Sequence, residues 1–190
     1  MRIMKIRSIS LPVAVLCLLL RTSFAGSSDL EITCVSKKFD EKAFAEGRKL
    51  HDVNGADIGG IASKQEHWGY AVSFENKSFQ PIAEMEVKYM IFFKQEQLGS
   101  KSPGRVQHQS GTFTVSAIPP HSKQAAETDA VQLKQAYLTG PAGGYTYYEN
   151  GAKSKVADSL IGIWIRVYQN GTLFAEFAKP SALMTREKWE

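Results

Sequence analysis

Cysteine is almost absent from this sequence, with two residues in a chain of 190. Cys17 lies in an apolar run near the N-terminus, so Cys34 is the single cysteine in the sequence that follows this run. One thiol cannot form an internal disulfide, and a chain of this length can bury most of its unfolded surface in a hydrophobic core. The sequence excludes a disulfide-stapled scaffold, predicts one globular domain, and places Cys34 on a buried first strand with Leu30 and Ile32.

An excess of one charge is also missing beyond the N-terminus. The formal net charge of +4 comes entirely from Arg2, Lys5, Arg7 and Arg21, because the remaining residues carry basic and acidic groups in equal number. Binding to nucleic acid requires a basic face that displaces counterions from phosphates. We therefore expect no nucleic-acid partner.

Motifs for catalysis or metal binding are lacking as well. The four histidines show neither i,i+4 pairing nor an H-E-x-x-H pattern, and there is no G-x-S-x-G elbow. In residues 151–154 the lysine lacks the glycine that precedes it in a phosphate-binding loop. We predict no catalytic residue, no metal site and no cofactor, and we expect the protein not to be an enzyme.

The sequence has one long apolar run, residues 11–20. Basic residues precede this run, and Ser23-Phe24-Ala25 follows it with the small-x-small pattern that signal peptidase accepts. The run has about half of the ~20 residues that a transmembrane helix requires. Residues 1–25 are predicted to be a cleaved signal peptide. The mature chain would then begin at Gly26, without a transmembrane anchor, and act in the periplasm or outside the cell.

Alternating apolar residues are abundant in the remaining sequence, and this pattern predicts strands. Residues 68–74 and 85–93 alternate in this way, with a turn cluster at 76–81 between them, so we expect these two strands to pair. Further strands are predicted at residues 30–35, 112–118, 126–133, 160–168 and 172–178.

Three segments do not alternate. Residues 39–50 fit a short helix capped by Asp40, although Gly47 weakens it. Residues 135–155 contain four glycines and should form an irregular loop, which in a compact domain is usually functional or mobile. The tail after Pro180 is predicted to add a short helical turn that ends near Trp189.

The C-terminal hairpin has two alternative registers around Gln169-Asn170-Gly171. A two-residue Asn-Gly turn would place Ile165 opposite Glu176 and mix polar with apolar residues on both faces. A three-residue loop with an αL glycine places Ile165 opposite Ala175 and leaves one face wholly apolar. We predict the three-residue loop.

Short strands in succession, without intervening helices, predict an all-β fold: a single immunoglobulin-like antiparallel β-sandwich of about six to eight strands after the signal peptide. The predicted organisation is a signal peptide at 1–25, an N-terminal strand and irregular segment at 26–65, a β-sandwich core at 66–180 and a C-terminal tail at 181–190.

In residues 70–78, Tyr-Ala-Val-Ser-Phe-Glu-Asn-Lys-Ser, a strand ends in an Asn-x-Ser turn, and a long, partly charged strand and a Pro-Pro-His turn follow. On these features residues 66–133 resemble the FxLYD-type immunoglobulin-like domains of exported bacterial proteins. The stretch 162–168, Gly-Ile-Trp-Ile-Arg-Val-Tyr, is similar to a segment of uncharacterised exported bacterial proteins. These resemblances imply an exported immunoglobulin-like domain and no particular activity.

Aromatic residues supply the candidate binding surface. Exposed aromatic side chains are typical of recognition surfaces, because they offer a large contact area at low entropic cost. We expect the Gly-rich loop and the outer face of the C-terminal hairpin to form one such surface. Its residues are Tyr145, Tyr147, Tyr148, Trp164, Arg166 and Tyr168.

The sequence therefore indicates an exported, non-catalytic binding or structural module, whose partner is a protein or glycan of the cell envelope. The alternatives are a carbohydrate-binding module and an envelope hydrolase with an unrecognised site. A deep polar pocket with converging titratable groups would favour the hydrolase, whereas a flat aromatic surface would favour binding. The oligomeric state does not follow from the sequence.

Overall fold

The structure, a computed structural model, describes residues 29–51, 57–142 and 144–189, and it describes only the backbone of residues 41–51 and 57–58. The predicted signal peptide lies outside these residues. Two antiparallel sheets form a sandwich and strands dominate the chain, so the all-β prediction is confirmed. The described ranges contain β1 (Leu30–His51), β2 (Asp57–Asn76), β3 (Met85–Gln95), β4 (Arg105–Val115), β5 (Lys123–Glu127), β6 (Val131–Thr139), β7 (Lys155–Ala157), β8 (Ser159–Gln169), β9 (Thr172–Lys179) and α1 (Leu183–Arg186).

The first sheet has the strand order β1-β2-β6-β7, with β5 also paired to β2. Along one edge β2 pairs with β1, and along the other it pairs first with β6 and then with β5. The pairing with β6 involves residues 60–68 of β2, and the pairing with β5 involves residues 71–75. β2 is therefore the central strand of this sheet over nearly its whole length.

The expectation of a helix at residues 39–50 is wrong. β1 continues through this segment and pairs with β2 as far as Asp57, with register shifts that absorb the irregular positions. Cross-strand hydrogen bonds outweigh a local helix propensity that Gly47 already weakens. Residues 26–65 thus include β1 and the start of β2, which belong to the same sheet as the strands that follow.

The second sheet has the order β4-β3-β8-β9. The predicted pairing of strands 68–74 and 85–93 is wrong, because β2 and β3 lie in different sheets and residues 77–84 connect them across the sandwich. The side chain of Asn76 is fully buried at this crossing, and its Nδ2 donates to the carbonyl oxygens of Gln80, Ile118 and Pro119 at 2.7, 3.0 and 3.2 Å. At the Asn-x-Ser turn the chain therefore crosses from the first sheet to the second and does not form a hairpin.

The C-terminal hairpin begins in the register of the two-residue turn and then leaves both registers considered from the sequence. Asn170 and Gly171 have φ angles of 51° and 75°, as a two-residue type I′ turn requires, so the predicted three-residue loop is wrong. A bulge at Phe174 then shifts the register, and Ile165 lies opposite Phe177. The extra residue keeps apolar side chains of both strands on the core face, which an unbulged two-residue turn would not.

The main core lies between the two sheets. Ile165 is fully buried there, as predicted, and Cys34 is buried on the same face as Leu30 and Ile32. The fully buried residues of the main core include Val72, Phe74, Val87, Ile91, Ile118, Ile163, Ile165 and Val167.

The C-terminal tail covers part of the outer face of the second sheet. As predicted, it contains a helical turn, α1, and ends near Trp189, which packs edge-to-face on Trp164 with ring centres 5.3 Å apart. Leu183 of α1 is buried in the same small cluster, together with Met90 and Phe92. Within the described ranges, no helix has the length and apolar character needed to cross a membrane.

Candidate functional site

The hairpin residues of the predicted surface are engaged within the molecule. Trp164 is only 5% exposed, because α1 and Trp189 cover it. The guanidinium of Arg166 lies 4.5 Å from the ring centre of Trp189, and its Nε donates to Glu176 Oε1 at 2.6 Å. Further along the same face, Tyr168 has a lysine ammonium 5.2 Å from its ring centre. This face is occupied largely by the protein's own side chains.

The loop residues of the predicted surface lie beside the first sheet. Tyr145 forms an antiparallel bridge with Thr139 at the end of β6, and the backbone N–H of Tyr148 donates to Ser154 Oγ at 2.8 Å. Tyr145 is 45% exposed and Tyr147 is 74% exposed, whereas Tyr148 is half-buried. Tyr145 packs beside β6 of the first sheet, whereas the hairpin residues lie on the outer face of the second sheet. The structure therefore does not bring the two groups together.

The ring of Tyr137 lies in line with the rings of two loop residues, Tyr145 and Tyr147. The ring centre of Tyr137, on β6, lies 6.3 Å from that of Tyr145, which in turn lies 4.7 Å from Tyr147 in a T-shaped contact. Tyr137 and Tyr145 line a cavity of about 350 Å³ together with Gly144 and Lys155. We call Tyr137, Tyr145 and Tyr147 the tyrosine row.

The tyrosine row stands on a part of the first sheet that extends past the main core. Here β2 pairs with β6 through Ala62 opposite Tyr137 and Lys64 opposite Gln135, so these four side chains share one face. Further along β2 the same face includes Trp68, Tyr70 and Val72, and these side chains point toward the core. Among the described residues of β2 before Trp68, none belongs to the main core cluster. We call this region, residues 60–66 of β2 and residues 133–139 of β6 with the adjoining Tyr145 and Tyr147, the overhang. Its inner end reaches the main core at Leu133.

A buried carboxylate lies where the overhang meets the sandwich. Glu66 is 7% exposed and accepts from three donors: Lys64 Nζ and Lys38 Nζ contact Oε1 at 2.8 and 3.1 Å, and Trp68 Nε1 donates to Oε2 at 2.8 Å. The hydrogen bonds from Lys64 and Trp68 lower the pKa of Glu66 to about 2. This carboxylate therefore stays ionised at neutral pH, so it acts as a fixed acceptor and not as a proton donor.

Glu66 is one wall of a cavity of about 600 Å³ between the overhang and the start of β8. Such a volume falls within the ~300–1,000 Å³ usual for small-molecule sites. The apolar part of the lining includes the Trp68 ring, Leu133 and Leu160, and the polar part includes Gln135 and Ser159. We call this cavity the Glu66 pocket. Since Gln135 and Tyr137 are two residues apart on β6, the pocket and the tyrosine row are continuous on one face.

The segment that carries β7 is held in place by ionic and backbone contacts. Lys153 forms an ion pair with Glu96 and donates to the carbonyl oxygen of Ser102 at 2.8 Å. The carboxylate of Asp158 accepts from the backbone N–H groups of Glu96 and Lys134 at 2.8 and 2.9 Å. These contacts tie the β3–β4 loop and β6 to the segment that carries Lys155, so the walls of the site are well braced.

Three titratable side chains that the structure describes outside this site are buried or already paired. Burial raises the pKa of the Cys34 thiol, which keeps it protonated and a poor nucleophile. His67 pairs with Asp40, and His121 packs against Phe79. Across the described ranges, no group of three histidine, cysteine or acidic side chains is placed to hold a metal ion.

Sequence reasoning found Tyr145 and Tyr147 but missed the other parts of the site. Glu66 and Gln135 are ordinary polar residues in the sequence, and their roles depend on which strands pair. Tyr137 was assigned to the irregular loop 135–155, whereas β6 includes this residue. The one available signal was the alternation of Leu133, Gln135 and Tyr137 after Val131, which extends the strand pattern toward the loop.

Comparison with known proteins places the chain in no family. No family model matches it, and no curated protein matches it. One similar solved structure, a target of the Northeast Structural Genomics Consortium, has a TM-score of 0.33 at 10% identity, over 72% of this chain and 85% of that chain. Another, from Akkermansia muciniphila, has a TM-score of 0.28 at 10% identity, over 87% of this chain and 75% of that chain. At these values the similarity supports no statement about function.

Proposed function

We propose that this protein is an exported, non-catalytic binding module of the cell envelope or extracellular space, and that the overhang is its binding face. One observation carries the proposal: exposed tyrosines and two cavities lie along one face of the first sheet, where this sheet extends past the main core. Concave sites with an apolar lining and a few polar groups are the usual places for ligands. The aromatic residues of the hairpin face lack this exposure.

Export is proposed from the sequence of residues 1–25, with its basic start, apolar run and Ser23-Phe24-Ala25. The resemblance of residues 66–133 to FxLYD-type domains supports the same compartment and an immunoglobulin-like fold. Mass spectrometry of the protein made in a bacterial host should find a mature N-terminus at Gly26. Recovery of the intact residues 11–20 in a membrane fraction would contradict export as a soluble protein.

The chemistry of the site supports binding over hydrolysis. A general acid needs a pKa near the working pH, whereas hydrogen bonds from Lys64 and Trp68 lower the pKa of Glu66 to about 2. The Cys34 thiol is buried, and burial raises its pKa. Glu66 thus holds a fixed negative charge that accepts hydrogen bonds, which suits recognition.

The binding face is tested with an array that displays both glycans and peptides. Three forms of the mature chain are labelled and compared: the wild type, the double variant Tyr145→Ala/Tyr147→Ala and Phe79→Ala. Phe79 is 83% exposed on a loop at residues 77–81, so it controls for the loss of any exposed aromatic ring. We expect the double variant to lose the signals that the wild type shows and Phe79→Ala to keep them. Equal signals from the double variant would contradict the proposal.

A further inference from the structure

The tyrosine row presents aromatic rings to the solvent. Tyr145 and Tyr147 are the exposed large apolar residues of this region, and the cavity beside them is completed by Lys155 and Gly144. A tyrosine ring has an electron-rich face and a polar hydroxyl at its edge. A partner for such a row must offer flat, weakly polarised C–H surfaces together with hydroxyl or amide groups.

Some polar groups that line the Glu66 pocket have hydrogen-bonding positions that no other group of the described chain uses. A carboxylate has about four acceptor positions, and the contacts from Lys38, Lys64 and Trp68 use three of those of Glu66. Within the described part of the chain, no hydrogen bond engages the side-chain amide of Gln135 or the hydroxyl of Ser159, which both line the pocket. The pocket thus offers hydrogen-bond acceptors and donors in a cavity that Trp68 also lines.

An extended peptide fits this face poorly. Peptides that bind to a sheet commonly add a strand along an open edge. The edge of β6 that faces the tyrosine row is already paired, first with β7 and then with Tyr145. The overhang therefore offers side chains to a ligand and few backbone hydrogen bonds.

From these observations we propose that the overhang binds a linear glycan, with one sugar ring in the Glu66 pocket and the following rings along the tyrosine row. This inference rests on the proposed function and names its ligand class. A pyranose ring has a C–H face that packs on an aromatic ring and hydroxyl groups around its rim that accept and donate hydrogen bonds. The tyrosine row matches the first feature. Glu66, Gln135 and Ser159 match the second.

Affinity electrophoresis of the mature chain tests this inference. Native gels are cast with hydroxyethyl cellulose, xylan, galactomannan or polygalacturonate, and a gel without polysaccharide gives the reference mobility. We expect at least one polysaccharide to retard the wild type, and Tyr147→Ala to weaken that retardation about tenfold or more, as for the loss of an aromatic anchor. Neutral and acidic polysaccharides in separate gels distinguish an uncharged ligand from one with carboxylates.

Two controls make the result decisive. Phe79→Ala should be retarded like the wild type, and Gln135→Ala should lose part of the retardation if the pocket holds a sugar ring. Because Tyr147 is 74% exposed, we expect Tyr147→Ala and the wild type to have equal melting temperatures. Equal values would show that the substitution does not unfold the protein. Absence of retardation in every gel, or equal retardation of Tyr147→Ala, would overturn the glycan inference. Peptide signals on the array that depend on Tyr145 and Tyr147 would then still support the proposed binding face.

Discussion

The outer face of the C-terminal hairpin and the overhang of the first sheet have similar compositions but differ in how far their aromatic rings are exposed. Both combine aromatic rings with basic and acidic side chains. On the hairpin face Trp164 is covered by α1 and Trp189, and Arg166 is paired with Glu176. On the overhang Tyr147 is mostly in solvent and an adjoining cavity is open. The comparison teaches that aromatic content alone does not mark a binding face, because the protein's own tail can cover it.

Removal of the ring of Trp164 should give the largest difference between the two regions. Trp164→Ala is expected to lower the free energy of unfolding by about 3–5 kcal/mol, the usual cost of deleting a buried large aromatic side chain. Urea denaturation measures this loss. A loss below about 1 kcal/mol would mean that the C-terminal tail does not cover the hairpin face in solution.

Removal of the covering ring should have an intermediate effect. Trp189 is partly buried and packs edge-to-face on Trp164, so Trp189→Ala should cost about 1–2 kcal/mol, since such aromatic pairs contribute ~0.5–1.5 kcal/mol beyond the area that they bury. The variant should also shift the fluorescence of the remaining tryptophans to longer wavelength, as Trp164 gains solvent. Unchanged emission would contradict the covering role.

The buried carboxylate of the overhang should make stability depend on pH. Because contacts with Lys64 and Trp68 lower the pKa of Glu66 from 4.5 to about 2 on folding, its contribution is complete above pH 4.5 and is lost as the pH falls toward 2. The wild type should thus exceed Glu66→Gln in stability at pH 6, and this gap should narrow between pH 5 and about 2. Glu149→Gln, on the exposed loop, controls for the loss of one negative charge. A gap that stays constant over this range would contradict the assigned contacts.

The smallest effect is expected for the exposed tyrosine. Tyr147→Ala should change the free energy of unfolding by no more than about 0.5 kcal/mol, because substitutions at exposed positions away from packed features rarely cost more. Thermal melts of this variant and of Trp164→Ala, run side by side, give the comparison in one experiment. Comparable losses in both variants would place the tyrosine row inside a packed region.

The sequence predicted the strands well where alternation was regular and poorly where pairing decided the outcome. Regular alternation located β3 and β8 and the buried face of Ile165. It could not show that β2 and β3 lie in different sheets, because the turn cluster after Asn76 also fits a hairpin. The bulge at Phe174 was equally hidden, since one extra residue changes the register without changing the local composition.

The candidate site was predicted only in part for a related reason. Tyr145 and Tyr147 stand in a Gly-rich loop, where exposure follows from the sequence. Glu66 and Gln135 come together through the pairing of β2 with β6, which is a long-range contact. The burial of Trp164 depends on a tail that follows it by some twenty residues and packs on the opposite side of its sheet from the core. Long-range pairing and packing are not visible in short sequence windows.

Fluorine NMR of the tyrosines tests most directly whether the overhang is the recognition face. The mature chain is labelled with 3-fluorotyrosine, the seven tyrosine resonances are assigned with single Tyr→Phe variants, and fluorine NMR spectra are recorded during titration with the polysaccharide that retards the protein most. We expect the signals of Tyr137, Tyr145 and Tyr147 to move together while that of Tyr168 stays in place. Movement of the Tyr168 signal with the tyrosine row unchanged would contradict this expectation.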